Sequence, residues 1–361
     1  MKILFVTRKY PPSVGGMENM AFHLHESLSK IHNVTLIAWG GSNGWLIVIY
    51  PILFARAFLS ALIHRPDVVL LQDGVLAPMA PAFRHILRLP VAITIHGLEV
   101  TYGNPVYRAI VLRFLSTAKL LIAVSSQTKR ETEKIVSGSK ISVIKNGVAD
   151  DLYLSIPGNK LRNDVADEIG IKRDIFAKKK ILLTTGRMVR RKGIQWFIVH
   201  VIPEIKSQRQ DTLYIICGTG PEEENIKQAI IDNGLVNDVL LLGRVPGDLL
   251  RKLYNIADIF IMPNIPVKND IEGFGLVALE AASCGTKVIA SGIDGIGDAI
   301  DDGRNGYLVN AQDKGQYMEE ITKILNGKDT LKKTDIRKYV LKNCSWDVVA
   351  RQYTERLGDI I

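Results

Sequence analysis

Short apolar runs that end in a glycine-bearing turn and lead into helix-forming residues recur along the whole chain. This recurrence restricts the fold more than any other feature. Lys2–Thr7, Lys180–Thr185, Leu213–Cys217 and Ala257–Pro263 are such runs. They are rich in Ile, Leu and Val with little polar alternation, the pattern of strands covered on both faces. Strands alternating with helices predict a parallel, doubly wound α/β sheet. At 361 residues the chain exceeds what one core ordinarily serves, so two such domains are expected. Ligands of these sheets bind outside the carboxyl ends of the strands, and candidate site residues are sought there.

The richest such turn lies in Asn269–Gly285. Gly273 and Gly275 flank Phe274, and Leu276–Ser283 is good helix material. The free N–H groups of a first helical turn, together with the helix dipole, make an anion site. Glu272 precedes the turn and Glu280 lies roughly two turns further on. From the residues alone, a helix cap and a surface acid are as good a reading of this pair as two ligand-binding acids. Arg187 and Lys192, after Lys180–Thr185, offer a planar fork and a point charge for phosphate oxygens, or form a solvated basic loop. Gly15-Gly16 opens a predicted helix over Met17–Lys30. His96-Gly97 follows the predicted strand Val91–Ile95, and Gly218-Thr219-Gly220 follows Leu213–Cys217.

In order and about eighty residues apart, Gly186-Arg187-x4-Lys192-Gly193 and Glu272-x7-Glu280 resemble the motifs of family 4 retaining glycosyltransferases of the GT-B fold. Gly15-Gly16-Met17-Glu18, His96-Gly97 and Asn146-Gly147-Val148 match the same family at the expected places. Gly297-Asp298 departs from it, where a Pro-Glu pair is common. The resemblance implies an α/β chain of two Rossmann-like, doubly wound domains facing across a cleft. Residues 1–158 would form an acceptor domain, residues 159–345 a nucleotide-sugar domain, and a C-terminal helix, 346–361, would cross back to the first. It implies transfer of a sugar, with retention, from a UDP- or GDP-sugar to a glycan or lipid-linked acceptor. Glu272 would face the sugar, with His96 near its hydroxyls. The turn Gly273, Phe274, Gly275 and Leu276 would hold the diphosphate, and Glu280 the ribose. Arg187 and Lys192 would neutralise the leaving group, Gly15 and Gly16 would lie near the donor phosphates, and the backbone at Val245 would read the base. No cofactor is expected. Without an Asp-x-Asp pair, no metal is expected either. A GT-B nucleotide-sugar epimerase and a non-catalytic nucleotide-sugar-binding subunit are the alternatives.

Charge is unevenly spread. The formal net charge is +9, and residues 1–160 hold 17 basic and 9 acidic residues against 29 and 28 in the remainder. Trp45–Ile63 is nearly all apolar and long enough for a membrane span, but Pro51 and the mid-run Arg56 argue against one. A strand over Trp45–Tyr50 and a helix opened by Pro51 are expected instead. Residues 150–165, dense in charge, are expected to be the linker. The three dispersed cysteines show neither zinc spacing nor a disulfide framework, consistent with a reducing cytoplasm. Basic charge and an apolar run in one domain predict a peripheral protein on an anionic membrane surface at the cytoplasmic face. Nucleic acid is not an expected partner.

Overall fold

The computed structural model describes the whole chain except Val14, Ser42, Ser137 and Ser139, and all other side chains except those of Asn43 and Ile47. The chain forms two compact units. The first comprises Met1–Gly147, Asn269–Phe274 and Cys344–Ile361, and the second Val148–Lys268 and Gly275–Asn343.

The first unit holds a six-stranded parallel sheet of β1 (Lys2–Thr7), β2 (Asn33–Ala38), β3 (Val68–Leu71), β4 (Val91–Ile95), β5 (Leu120–Ala123) and β6 (Lys140–Val143). Its order is β2-β1-β3-β4-β5-β6. β1 pairs with β2 on one side and β3 on the other, so the sheet reverses its direction of growth between β1 and β3. Ile3, Leu4, Phe5 and Val6 are all but fully buried, as continuous apolar strands with helices on both faces require. The C-terminal helix Trp346–Gly358 packs in this unit against the helix Gly16–Ser29. His32 Nε2 lies 2.9 Å from Thr354 Oγ1, and Trp346 stacks on His23. A side chain at Gly147 would collide with Trp346, its Cβ 2.6 Å from the indole.

The second unit repeats the plan with β7 (Lys180–Thr185), β8 (Thr212–Cys217), β9 (Val239–Gly243), β10 (Ile259–Met262), β11 (Lys287–Ser291) and β12 (Tyr307–Val309). The order β12-β11-β10-β7-β8-β9 places its reversal between β7 and β10. Its core joins Leu182, Tyr214, Ile216, Ile259 and Ile261 of the strands to Phe197, Ile198, Val201 and Tyr317 of the helices.

Two local expectations are corrected. Trp45–Tyr50 is not a strand: a 3₁₀ turn, Asn43–Trp45, leads into one helix, Leu46–His64, with Pro51 inside it. Pro51 stands one turn in, so its missing N–H forfeits a single helical bond to the carbonyl of residue 47. The helix recovers this by burying Leu53, Ala57, Ser60 and Ala61 in the first unit, at helical spacing. Residues 150–165 are not an open linker either. Gly158–Glu168 is a helix of the second unit that buries Leu161, Val165 and Ala166. In the second unit the helical stretch after Gly193 is broken at Val201, where Pro203 stands in the first turn of a second helix, Ile202–Gln208.

The two faces of Leu46–His64 differ enough to test. Leu53 is 2% exposed and Leu59 57% exposed. Leu53→Ala should lower unfolding stability by about 2–4 kcal/mol through the cavity it leaves. Leu59→Ala should stay within about 0.5 kcal/mol of the parent. Urea unfolding of the full chain measures both, and equal losses would contradict this packing.

Candidate active site

In the second unit the loops that follow β7, β8, β9 and β10 at the carboxyl end of the sheet carry candidate residues. β7 runs into Gly186-Arg187, and the 3₁₀ turn Arg190–Lys192 follows. Arg187 is exposed, whereas Lys192 is buried, with its stem beside Gly186. Gly193 turns the chain at φ 63° into the helix Ile194–His200, and a Cβ there would lie 1.9 Å from the Pro263 carbonyl oxygen. Gly218, after β8, has φ 135°, and its Cβ would sit 1.9 Å from the Gly186 oxygen. Both positions demand glycine twice over, by conformation and by backbone approach. These contacts draw the loops after β7, β8 and β10 together at the point where the sheet reverses. Val245 stands half-buried in the loop between β9 and the helix Gly247–Ile256.

The helix Leu276–Ser283 begins as expected. Its N-cap is Gly275 at φ 94°, and no side chain caps its first turn. With Leu276 as its first residue, its leading N–H groups are directed to a ligand or to solvent. Glu280 lies within this helix. Tyr254 OH donates to its Oε2 at 2.8 Å, and that hydroxyl also lies 2.9 Å from Thr185 Oγ1 at the end of β7. Burial raises the Glu280 carboxyl above the usual carboxylate range, while the Tyr254 bond acts to lower it. One carboxylate oxygen is thus fixed, and the group is held in a low-dielectric position where a further hydroxyl donor is favoured.

The first unit holds the remaining candidates. Gly15 caps the helix Gly16–Ser29, and Glu18 folds back so that a Cβ on Gly15 would meet its carboxylate. Lys9 Nζ pairs with that carboxylate at 3.0 Å. His96 follows β4. Its Nε2–H donates to the Gln72 carbonyl at 2.8 Å, which leaves Nδ1 as the second ring position. The His96 amide donates to Glu99 Oε1 at 2.5 Å. Asn269–Phe274 belongs to this unit, and Gly273 lies so close to the His96–Gly97 turn that a Cβ on it would be 2.2 Å from the His96 oxygen. The structure therefore brings His96 next to the Gly273 end of the Glu272 motif, and Phe274 is buried.

Three groups of residues were not singled out in the sequence. Thr185 and Tyr254 form the chain behind Glu280. Arg8 and Asp73, after β1 and β3, make a buried ion pair at 2.6 Å. Glu99 closes the His96 turn, and burial, with Asp73 nearby, raises its carboxyl. Arg8, Asp73 and Thr185 follow or end strands at the carboxyl edge, and that placement is the signal that could have found them.

Comparison with known proteins bears on the family and the fold. The family model described as Glycosyltransferase Family 4 matches residues 14–152, and the model described as Glycosyl transferases group 1 matches residues 166–341. An uncharacterized glycosyltransferase of Methanocaldococcus jannaschii is 28% identical, over 98% of this chain and 96% of its own. A GDP-mannose-dependent alpha-(1-6)-phosphatidylinositol monomannoside mannosyltransferase of Mycolicibacterium smegmatis is 26% identical, over 86% of each. Among solved structures, Anabaena HepE in complex with UDP superposes with a TM-score of 0.77 at 20% identity, covering 99% of this chain and 100% of that one. Sucrose-phosphate synthase of Thermosynechococcus elongatus gives 0.78 at 19% identity, over 99% and 98%. With both halves matched and two doubly wound parallel sheets in place, the chain belongs to the family 4, group 1 glycosyltransferases of the GT-B fold.

Proposed function

We propose that the protein transfers a sugar, with retention at the anomeric carbon and without a metal, from a UDP- or GDP-sugar to a glycan or lipid-linked acceptor. The observation that supports this best is the uncapped start of Leu276–Ser283 in the unit that also carries Arg187, Lys192 and the half-buried, Tyr254-bonded Glu280. These are the parts needed to hold a nucleoside diphosphate.

The barrier in such a transfer is departure of the diphosphate. Negative charge grows on it while the sugar becomes oxocarbenium-like. Arg187, Lys192 and the helix N-terminus act on that charge as fixed donors, the part a divalent cation plays elsewhere. Glu280 holds the ribose. Glu272 and His96 face the sugar's hydroxyls and orient the ring as the bond breaks. On this reading the departing phosphate oxygen takes the acceptor's proton on the same face, which preserves the configuration.

We place the enzyme at the cytoplasmic face of a membrane as a peripheral protein. Trp45, Val48, Ile52, Arg56, Leu59 and Ile63 are exposed and follow one another at intervals of three and four residues. They form one stripe, about 27 Å long at 1.5 Å per residue. The opposite side of the helix is packed in the domain core, so the stripe can lie on a bilayer but the helix is no span. The basic excess of residues 1–160 favours an anionic leaflet.

Arg187→Ala and Lys192→Ala should each lower turnover about a hundredfold, the loss of about 3 kcal/mol of charge stabilisation. EDTA should leave wild-type turnover intact. Near-parental turnover in both variants, or EDTA inhibition reversed by Mg²⁺, would oppose the proposed chemistry.

Glu280→Ala should weaken nucleoside diphosphate binding in calorimetry, whereas Glu272→Gln should spare it and reduce turnover. Tyr254→Phe removes the bond that lowers the Glu280 carboxyl's pKa. Binding by the ionised carboxylate should then fail at a higher pH as the solution is acidified. Equal affinity losses in the two glutamate variants, or an unmoved pH profile in Tyr254→Phe, would count against these roles.

Co-sedimentation with vesicles should rise with phosphatidylglycerol content, fall with salt, and be lost in Ile52→Asp/Leu59→Asp. A protein that stays in the supernatant with anionic vesicles at low salt contradicts the membrane placement.

A further inference from the structure

The first sheet reverses between β1 and β3, and an open parallel sheet forms its ligand crevice at that point. Arg8 leaves β1 there, Gln72 and Asp73 leave β3, and His96 leaves the adjacent β4. Most of this cluster is internally satisfied. Asp73 pairs with Arg8 and accepts from the Val75 amide at 2.6 Å, and Glu99 accepts from the His96 amide. The Gln72 backbone is fully engaged too: its N–H donates to the Val6 oxygen and its carbonyl accepts from His96.

The Gln72 side chain is the exception. It is 2% exposed, and neither its Nε2 nor its Oε1 has a hydrogen-bond partner among the described residues. The hydroxyls of Tyr50 and Tyr107 are likewise buried and unpartnered. Both tyrosines lie within electrostatic reach of Asp73, and Tyr107 also of Glu99 and Arg8. Apart from the Arg8–Asp73 ion pair, the first unit's other such atoms among the described residues are Trp39 Nε1, after β2, and Asn146 Oδ1, after β6. A buried polar group without a partner destabilises a fold by about 1–3 kcal/mol, so several gathered around Asp73 call for an explanation.

The chemistry of the cluster selects the ligand. Its guanidinium is already paired, and it contains two carboxyls, so an arriving phosphate or carboxylate would meet like charge. What remains to be satisfied is an amide that both donates and accepts, and two phenols that can do either. Adjacent ring hydroxyls complement that set.

We propose that the β1/β3 crevice binds an uncharged, polyhydroxylated ring, the part of the acceptor that receives the sugar, with Gln72, Tyr50 and Tyr107 as its recognition residues. This rests on the glycosyl-transfer reading and narrows its acceptor. Any anionic portion of the acceptor is bound outside this crevice.

The test is saturation-transfer NMR on the full chain with UDP or GDP present. The probes are myo-inositol, mannose and galactose, against mannose 6-phosphate and glucuronate. The uncharged rings should bind and the charged ones should not. Gln72→Leu and Tyr107→Phe should each weaken myo-inositol binding about five- to tenfold, the loss of one hydrogen-bonding group. Both should keep parental nucleoside diphosphate affinity in calorimetry. Because the Gln72 amide has no partner, Gln72→Leu should melt at or above the parental temperature. A merely structural Gln72 would instead lower the melting temperature and leave binding alone. The inference is overturned if no uncharged ring binds, if the charged probes bind equally well, or if the variants keep parental affinity for myo-inositol. If wild type binds no nucleoside diphosphate at all, it is the parent reading that has failed.

Discussion

Backbone meets backbone where the second sheet reverses, and the candidate site of the second unit depends on that contact. Gly193 lies against the Pro263 carbonyl and Gly218 against that of Gly186, each at a distance no side chain tolerates. Parallel strands supply loops at one end of the sheet, but they do not bring those loops into contact. The glycines do. A methyl group at either position would push apart the loops that carry Arg187 and Lys192, and charge stabilisation depends steeply on where the charges sit. The first sheet follows a related rule with different chemistry. At its reversal the loops after β1 and β3 are joined by the Arg8–Asp73 ion pair.

Behind both crevices the protein holds polar groups in places that do not favour them. Glu280 is half-buried with its pKa raised by desolvation, restrained by one phenol that is itself bonded to the end of β7. Gln72 is buried with its amide unpartnered among the described residues. Neither arrangement is what stability alone would select, since an apolar residue of similar shape avoids the desolvation. Both lie where an open parallel sheet binds ligands, which is where such strain is expected to serve binding.

Much of the fold was legible because buried parallel strands are read as unbroken apolar runs. β1, β4 and β7 span the predicted residues. The same signal misled at Trp45–Tyr50. An apolar run with β-branched and aromatic residues has no period of its own, and only the tertiary burial of Leu53, Ala57 and Ala61 decides that it is helical. Gly158–Glu168 was hidden for the opposite reason, because three buried residues in a charged stretch suffice to dock it. The glycines and charged residues of the candidate site stood out by spacing and by family resemblance. Tyr254 did not, since an aromatic residue on an amphipathic helix reads as core until its hydroxyl is seen to reach Glu280. Gln72 and Asp73 stand at a strand's carboxyl end, as His96 does, and the rule that marked the histidine applies equally to them.

The activity proposed for this chain moves a sugar from a nucleotide donor and keeps its configuration. The most direct measurement is product analysis with ¹³C-labelled UDP-glucose and GDP-mannose, incubated with the full chain and a lipid and glycan extract, and read by NMR at the anomeric carbon. Label from one of the donors should appear in a new glycoside with the donor's own anomeric configuration, together with free nucleoside diphosphate. An inverted glycoside, an isomerised donor, or an unchanged donor would contradict it.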